Sequence, residues 1–66
     1  MLQSVLIPKN LFTKYQADEW IKLHNFHPYK CHITQNYYRY RISMPSKQKK
    51  YYSLILPNNI IFIMYE

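Results

Sequence analysis

The stretch FTKYQADEWIKLHN, residues 12–25, decides what kind of fold this chain builds. Thr13 is a good helix N-cap, because its hydroxyl can accept from a backbone N–H that would otherwise lack a partner. Gln16 sits three residues on and completes a capping box. Phe12 before the cap and Ala17 at the fourth helical position have the spacing of a hydrophobic staple. Asp18 and Glu19 come early and Lys22 and His24 late, an order that the helix dipole favours. Ala17, Trp20, Ile21 and His24 share one face through three- and four-residue spacing, with Tyr15, Asp18 and Lys22 largely elsewhere. Asn25 is placed to end the helix in a left-handed conformation, with Phe26 folding back as an apolar plug. A helix of about twelve residues does not persist alone in water, so its Trp20 face needs a sheet to cover.

The flanking sequence supplies that sheet. Residues 3–7, QSVLI, read as a first strand, and Pro8 stops its ladder or places it at an edge. After Pro28 come the extended pieces KCHIT (30–34) and YYRYRIS (37–43), then a basic link, MPSKQKK (44–50). YYSLIL (51–56) and IIFIMY (60–65) flank Pro57, Asn58 and Asn59, the pattern of a hairpin. The expected fold is α+β. One N-terminal strand and a single amphipathic helix pack with a small, mainly antiparallel sheet of three to five strands, one domain over residues 1–66. Glycine is absent and asparagine occurs five times. Asn25, Asn36, Asn58 and Asn59 therefore stand in for glycine at turns, since asparagine tolerates the left-handed region best among the rest.

In NYYRYRI, residues 36–42, strand alternation sorts rings from cations. Tyr38, Tyr40 and Ile42 fall on one face, a core face beneath the helix. Tyr37, Arg39 and Arg41 fall on the other, a mixed aromatic and basic exposed face. Two arginines at alternate strand positions lie roughly 7 Å apart, close to the spacing of adjacent phosphates. Their forked donors suit phosphate or carboxylate. Tyr37 can stack on a base. Equally, the arginines can cover neighbouring rings or pair with Asp18, Glu19 or Glu66. Lys47, Lys49 and Lys50 form the densest positive cluster, which reads either as a contact for phosphates or as a solvated loop. Tyr51 and Tyr52 follow it directly and extend it into a cationic-aromatic patch.

Composition bounds the rest. The chain has 66 residues, a formal charge of +6 and one cysteine. A domain this small buries only about 60% of its unfolded surface, so eight tyrosines, each with a large ring and a polar tip, make up core volume. A lone cysteine excludes an intrachain disulfide and points to a reducing compartment. Cys31 reads as a small apolar filler. No run approaches the roughly 18–20 apolar residues that span a bilayer, and the N-terminus lacks the pattern of a secretory leader. The excess of positive charge predicts attraction to nucleic acid, acidic lipid or an acidic protein.

No cofactor, metal or catalytic residue is expected. His24, His27, Cys31 and His32 are the only residues clustered with ligand chemistry, but HxxHxxxCH is not a standard zinc spacing. Adjacent Cys31 and His32 would also diverge on a strand. Asp18 and Glu19 are neighbours on a helix and do not face each other. The run Ile60, Ile61, Phe62, Ile63, Met64 is apolar on both strand faces. One helix covers both faces with difficulty, so Ile61, Ile63 and Tyr65 are expected at a protein interface, through self-association or docking on another protein.

The segment VLIPKNLFTKYQADEWIKLHNF followed by KCHITQNYYRYRI resembles a small domain, with no assigned reaction, found in proteins of tailed phages and nucleocytoplasmic large DNA viruses. Ile7, Pro8 and Lys9 match its start. Phe12, Thr13, Ala17 and Trp20 match its capped helix. His24, Asn25 and Phe26 stand where the family usually has histidine, glycine and an aromatic. Thr34, Asn36, Tyr37, Tyr38, Arg39, Tyr40 and Arg41 match its last element. The resemblance covers residues 5–42 and implies a compact α+β adaptor or binding module, intracellular in the host cytoplasm or in a virion, with a viral or host protein as its partner. The expected function is a non-catalytic viral structural or protein-interaction module. The alternatives are a basic nucleic-acid-binding accessory module with little sequence preference, and an inhibitor of a host factor that mimics a basic ligand.

Overall fold

The computed structural model describes residues 1–44 and 50–66. Lys47 and Lys49 of the basic link lie outside the described residues. The elements are β1 (Leu2–Pro8), α1 (Lys14–Leu23), β2 (Lys30–Ile33), β3 (Tyr37–Arg41), β4 (Tyr51–Ile55) and β5 (Ile61–Tyr65). All strand pairs are antiparallel, in one five-stranded sheet of order β2-β3-β1-β5-β4. The α+β fold is therefore as expected, with the sheet at the upper end of the expected size. Pro8 ends the first strand, but β1 is central and not an edge. Pro8 is the last residue of the strand, where a missing N–H costs the ladder least.

The helix signals work as their chemistry dictates. Thr13 accepts from the Gln16 N–H at 3.1 Å, and Gln16 Oε1 accepts from the Thr13 N–H at 2.9 Å. At the other end His24 is the C-cap and Asn25 takes φ 59°. The Phe26 N–H donates to the Ile21 carbonyl and the Asn25 N–H to the Lys22 carbonyl. These are the two bonds of a Schellman motif, formed with asparagine in the usual glycine position. The helix has ten residues, and no acid stands in its first turn. Asp18 and Glu19 sit one turn further on, so the dipole argument applies to Lys22 but not to them. Asn59 also has positive φ, at 68°, while Asn36 and Asn58 do not. Asn58 acts instead through its side chain, which accepts from the Ile60 N–H at 3.2 Å.

The helix lies on the sheet face that carries Val5, Ile7 and Tyr40. These three, with Ala17, Ile21 and Ile60, form the buried core. Phe12, Trp20, Phe26, Tyr38, Ile42 and Phe62 pack around it. Trp20 stacks on His24 with centroids 3.8 Å apart and meets Phe62 edge-on at 6.2 Å. The expected core face of β3 is thus in place, with Tyr40 only 3% exposed. Its hydroxyl donates to Asp18 Oδ1 at 2.6 Å, and Lys14 pairs with the same oxygen. Hydrogen bonds from Lys14 and then Tyr40 hold the Asp18 carboxyl below its usual range. Burial, and then the bond to Asp18, pushes the Tyr40 hydroxyl upward.

Two polar residues in the sheet interior have no counterpart in the strand reading. Gln3 and Ser4 are fully buried and bond to each other through the Ser4 hydroxyl and Gln3 Oε1. The β1–β5 register shifts between Leu2 and Ser4, the mark of a bulge. Gln3 there donates to the Ser43 carbonyl at 3.2 Å. Cys31 is exposed on β2 and is not the core filler expected of it.

Candidate functional site: the uncovered face of the sheet

Paired residues in a sheet point to the same side, so the registers define rows across the face opposite the helix. One row runs His32, Arg39, Leu6, Ile61, Ile55. The next runs Lys30, Arg41, Ser4, Ile63, Ser53. Each crosses all five strands, a span of roughly 19 Å at about 4.8 Å between strands. Tyr37 stands beside Pro8 at one end, and Tyr65 beside Tyr51 at the other, with rings 5.9 Å apart. Among the described residues no helix lies over this face.

The two groups of residues singled out in the sequence therefore meet. Arg39 and Arg41 flank β1 on one side, and Ile61 and Ile63 flank it on the other, level with them. Leu6 and Ser4 join the two groups. The face is divided, cationic over β2 and β3 and aliphatic over β5 and β4. Tyr37, Arg39, Arg41, Ile61, Ile63 and Tyr65 are all half-buried, so the expectation of a freely exposed basic face needs correction. Their neighbours on adjacent strands pack against them and shield their stems, as long cationic side chains on apolar surface do.

Arg39 is partly enclosed. Its Nε is buried and has no hydrogen-bond partner among the described residues. Burial, with a smaller contribution from Arg41, lowers its pKa from the ordinary value, and a guanidinium still keeps its proton. The described ion pairs, Lys14–Asp18 and Lys22–Glu19, are on the helix and engage neither arginine. Asp18 cannot serve them, because it reaches Tyr40 on the opposite side of the sheet. Among the described residues, the arginines are thus left as unneutralised cations beside apolar surface.

Other expected contacts are distributed differently. Lys50 is exposed at the start of β4, and its carbonyl accepts from the Glu66 N–H. Tyr51 and Tyr52 alternate to opposite faces, so the single cationic-aromatic patch proposed for them divides between the two. Among the described residues no group of three His, Cys, Asp or Glu side chains is gathered to hold a metal. At the Pro8 end, a shallow open cleft of about 280 Å³ joins Tyr37, Ile61 and Ile55 with Asn10, Leu11 and Asn59. Leu6, His32, Lys30 and Ile55 belong to the face, but the sequence does not assign them to it; His32 stands out there only as a metal-ligand candidate. Their membership depends on strand order, and only His32 and Lys30 carry any local chemical signal.

No family model, curated protein or solved structure matches this chain.

Proposed function

We propose that the chain is a non-catalytic interaction module, of the viral structural or adaptor kind that its resemblance implies, and that the uncovered sheet face is its docking surface. The observation that carries this reading is that a cationic pair and an aliphatic strip share the one face without a helix. A partner fits if it presents carboxylates to Arg39 and Arg41 and apolar side chains to Leu6, Ile61 and Ile63. That describes an acidic, amphipathic protein segment. Guanidinium–carboxylate bonds supply orientation, and aliphatic burial supplies most of the affinity.

Nucleic acid is the second reading, favoured by the +6 charge and by the two arginines on one strand face. Against it stands the middle of the face. Sequence-tolerant binding of single strands relies on rings in the groove, whereas here Leu6, Ile61 and Ile63 occupy the middle and tyrosines only the ends. The readings separate in a titration at two salt concentrations. The probes are a peptide of alternating glutamate and leucine, a polyglutamate peptide of equal charge, and an oligothymidylate. The proposed function predicts that the glutamate–leucine peptide binds tightest. Tightest binding to the oligonucleotide, with a steep salt slope, selects the alternative. No binding to any of the three removes both.

A further inference from the structure

The two edges of the sheet differ in a way that points to a second copy of this chain. β2 is four residues long and carries Lys30 and His32. A short strand with a lysine is a usual way of preventing edge-to-edge pairing. β4 itself carries no such residue: between Tyr51 and Ile55 there is no charge, no proline and no register shift. Its side chains are exposed on both faces, Tyr52 46%, Leu54 46% and Ile55 69%. The Leu56 N–H donates to the Ile60 carbonyl, and the Lys50 carbonyl accepts from Glu66. By alternation the main-chain groups of residues 52 and 54 also turn toward β5. Those of Ser53 and Ile55 turn outward, and no described strand pairs with them.

We infer that β4 pairs antiparallel with β4 of a second copy, about a two-fold axis perpendicular to the sheet near Ser53 and Leu54. Such an axis reverses the strand and keeps the faces, so both helices lie on one side and both uncovered faces on the other. The pairing is self-complementary. It centres on a small residue with flanking apolar ones, and aromatic or aliphatic side chains meet across the seam. It also suits the charge distribution. Lys30, Arg39 and Arg41 lie on the strands furthest from β4. From β3 to its copy there are seven gaps of about 4.8 Å, roughly 34 Å. That is several Debye lengths of about 8 Å at physiological salt, so these cations repel one another little across the seam. Among the described residues Lys50, which flanks β4, is the cation nearest to it. The product is a ten-stranded sheet whose uncovered face is aliphatic across the middle and cationic at both ends. This inference concerns an edge, and it stands independently of what docks on the face.

Sedimentation equilibrium over a concentration series tests it, combined with hydrogen exchange at residue resolution. The expected result is a monomer–dimer equilibrium in which the Ser53 and Ile55 amides gain protection as concentration rises. Ile55→Lys places hydrated cations in the seam and should weaken association by on the order of tenfold or more, with an unchanged circular dichroism spectrum. Ile33→Lys makes the same change at a 61% exposed site on the β2 edge and should leave association intact. Ser53→Pro removes an outward N–H and should act as Ile55→Lys does. If that variant fails to fold, the two lysine variants still decide. A monomer at every concentration overturns the proposal. So does association that survives Ile55→Lys, or association that is lost with Ile33→Lys.

Discussion

The helix-covered face of the sheet and the uncovered face are built from the same five strands, yet their polar groups are satisfied differently. On the covered face the Tyr40 hydroxyl reaches Asp18, and Asp18 is met by Lys14, so a buried ring carries its polar tip to a charged partner within the chain. On the uncovered face Arg39 and Arg41 have no carboxylate among the described residues, and the Arg39 Nε has no hydrogen-bond partner among them. A face whose polar groups are paired internally is an element of the fold. A face that leaves guanidinium groups unneutralised beside apolar side chains is the one we propose as a docking surface. The difference predicts that substitutions on the two faces separate stability from binding.

The largest effect belongs to Tyr40. Tyr40→Ala should destabilise by about 3–5 kcal/mol, as truncation of buried aromatics does, and urea unfolding measures it. Tyr37→Ala, one ring further along the face away from the helix, should cost well under half as much. Equal losses at the two sites would break the contrast between the faces. Thr13→Ala comes next, with about 1 kcal/mol for the lost cap. Asn25→Ala should cost a similar amount, since alanine is strained at positive φ, and Asn25→Gly should be neutral or stabilising.

The Lys14–Asp18–Tyr40 cluster gives stability a definite pH dependence. Asp18 titrates lower in the folded chain than in the unfolded one. Its contribution is therefore complete above the unfolded value of about 3.9 and disappears as pH falls through the folded value. Tyr40 and Lys14 titrate higher when folded. Their contributions are complete below the unfolded values, about 10 for both, and are lost as pH rises beyond them. Tyr40→Phe should flatten the alkaline limb of a plot of melting temperature against pH and make the acid limb shallower. An unchanged profile would mean that the cluster contributes nothing to folding.

Much of this architecture was legible because it is local. Thr13 with Gln16, and Asn25 with Phe26, fix the two ends of the helix by bonds within a few residues. The alternation in YYRYR sorts Tyr38 and Tyr40 from Arg39 and Arg41 without knowledge of any partner strand. What could not be read is non-local. Nothing near Leu6 says that β1 is central, and nothing in IIFIM says that Ile61 lies level with Arg39. Both facts depend on the order β3-β1-β5 and on register across long stretches of chain. The uncovered face was therefore seen in the sequence as two unrelated groups, one basic and one aliphatic. The bulge beside Gln3 has no marker in the sequence, and a cysteine alone does not reveal that its strand is an edge.

The smallest expected effect on stability is the most informative about function. Arg39→Ala with Arg41→Ala should change stability by no more than about 1 kcal/mol, as half-exposed sites without internal partners do. Binding of the glutamate–leucine peptide should weaken by about tenfold or more, with the loss of two charge-assisted contacts, while the aliphatic part of the affinity remains. A double variant that unfolds would show that the arginines belong to the fold and not to a docking surface.

The most direct measurement is an amide chemical-shift map of the wild-type chain during titration with the glutamate–leucine peptide. The docking-face account predicts that shifts concentrate at Leu6, Arg39, Arg41, Ile61 and Ile63, on three adjacent strands, while Tyr15, Lys22 and Leu23 on the outer side of the helix stay still. Shifts confined to the helix, or spread evenly over the basic residues with Leu6 and Ile61 unmoved, would contradict it.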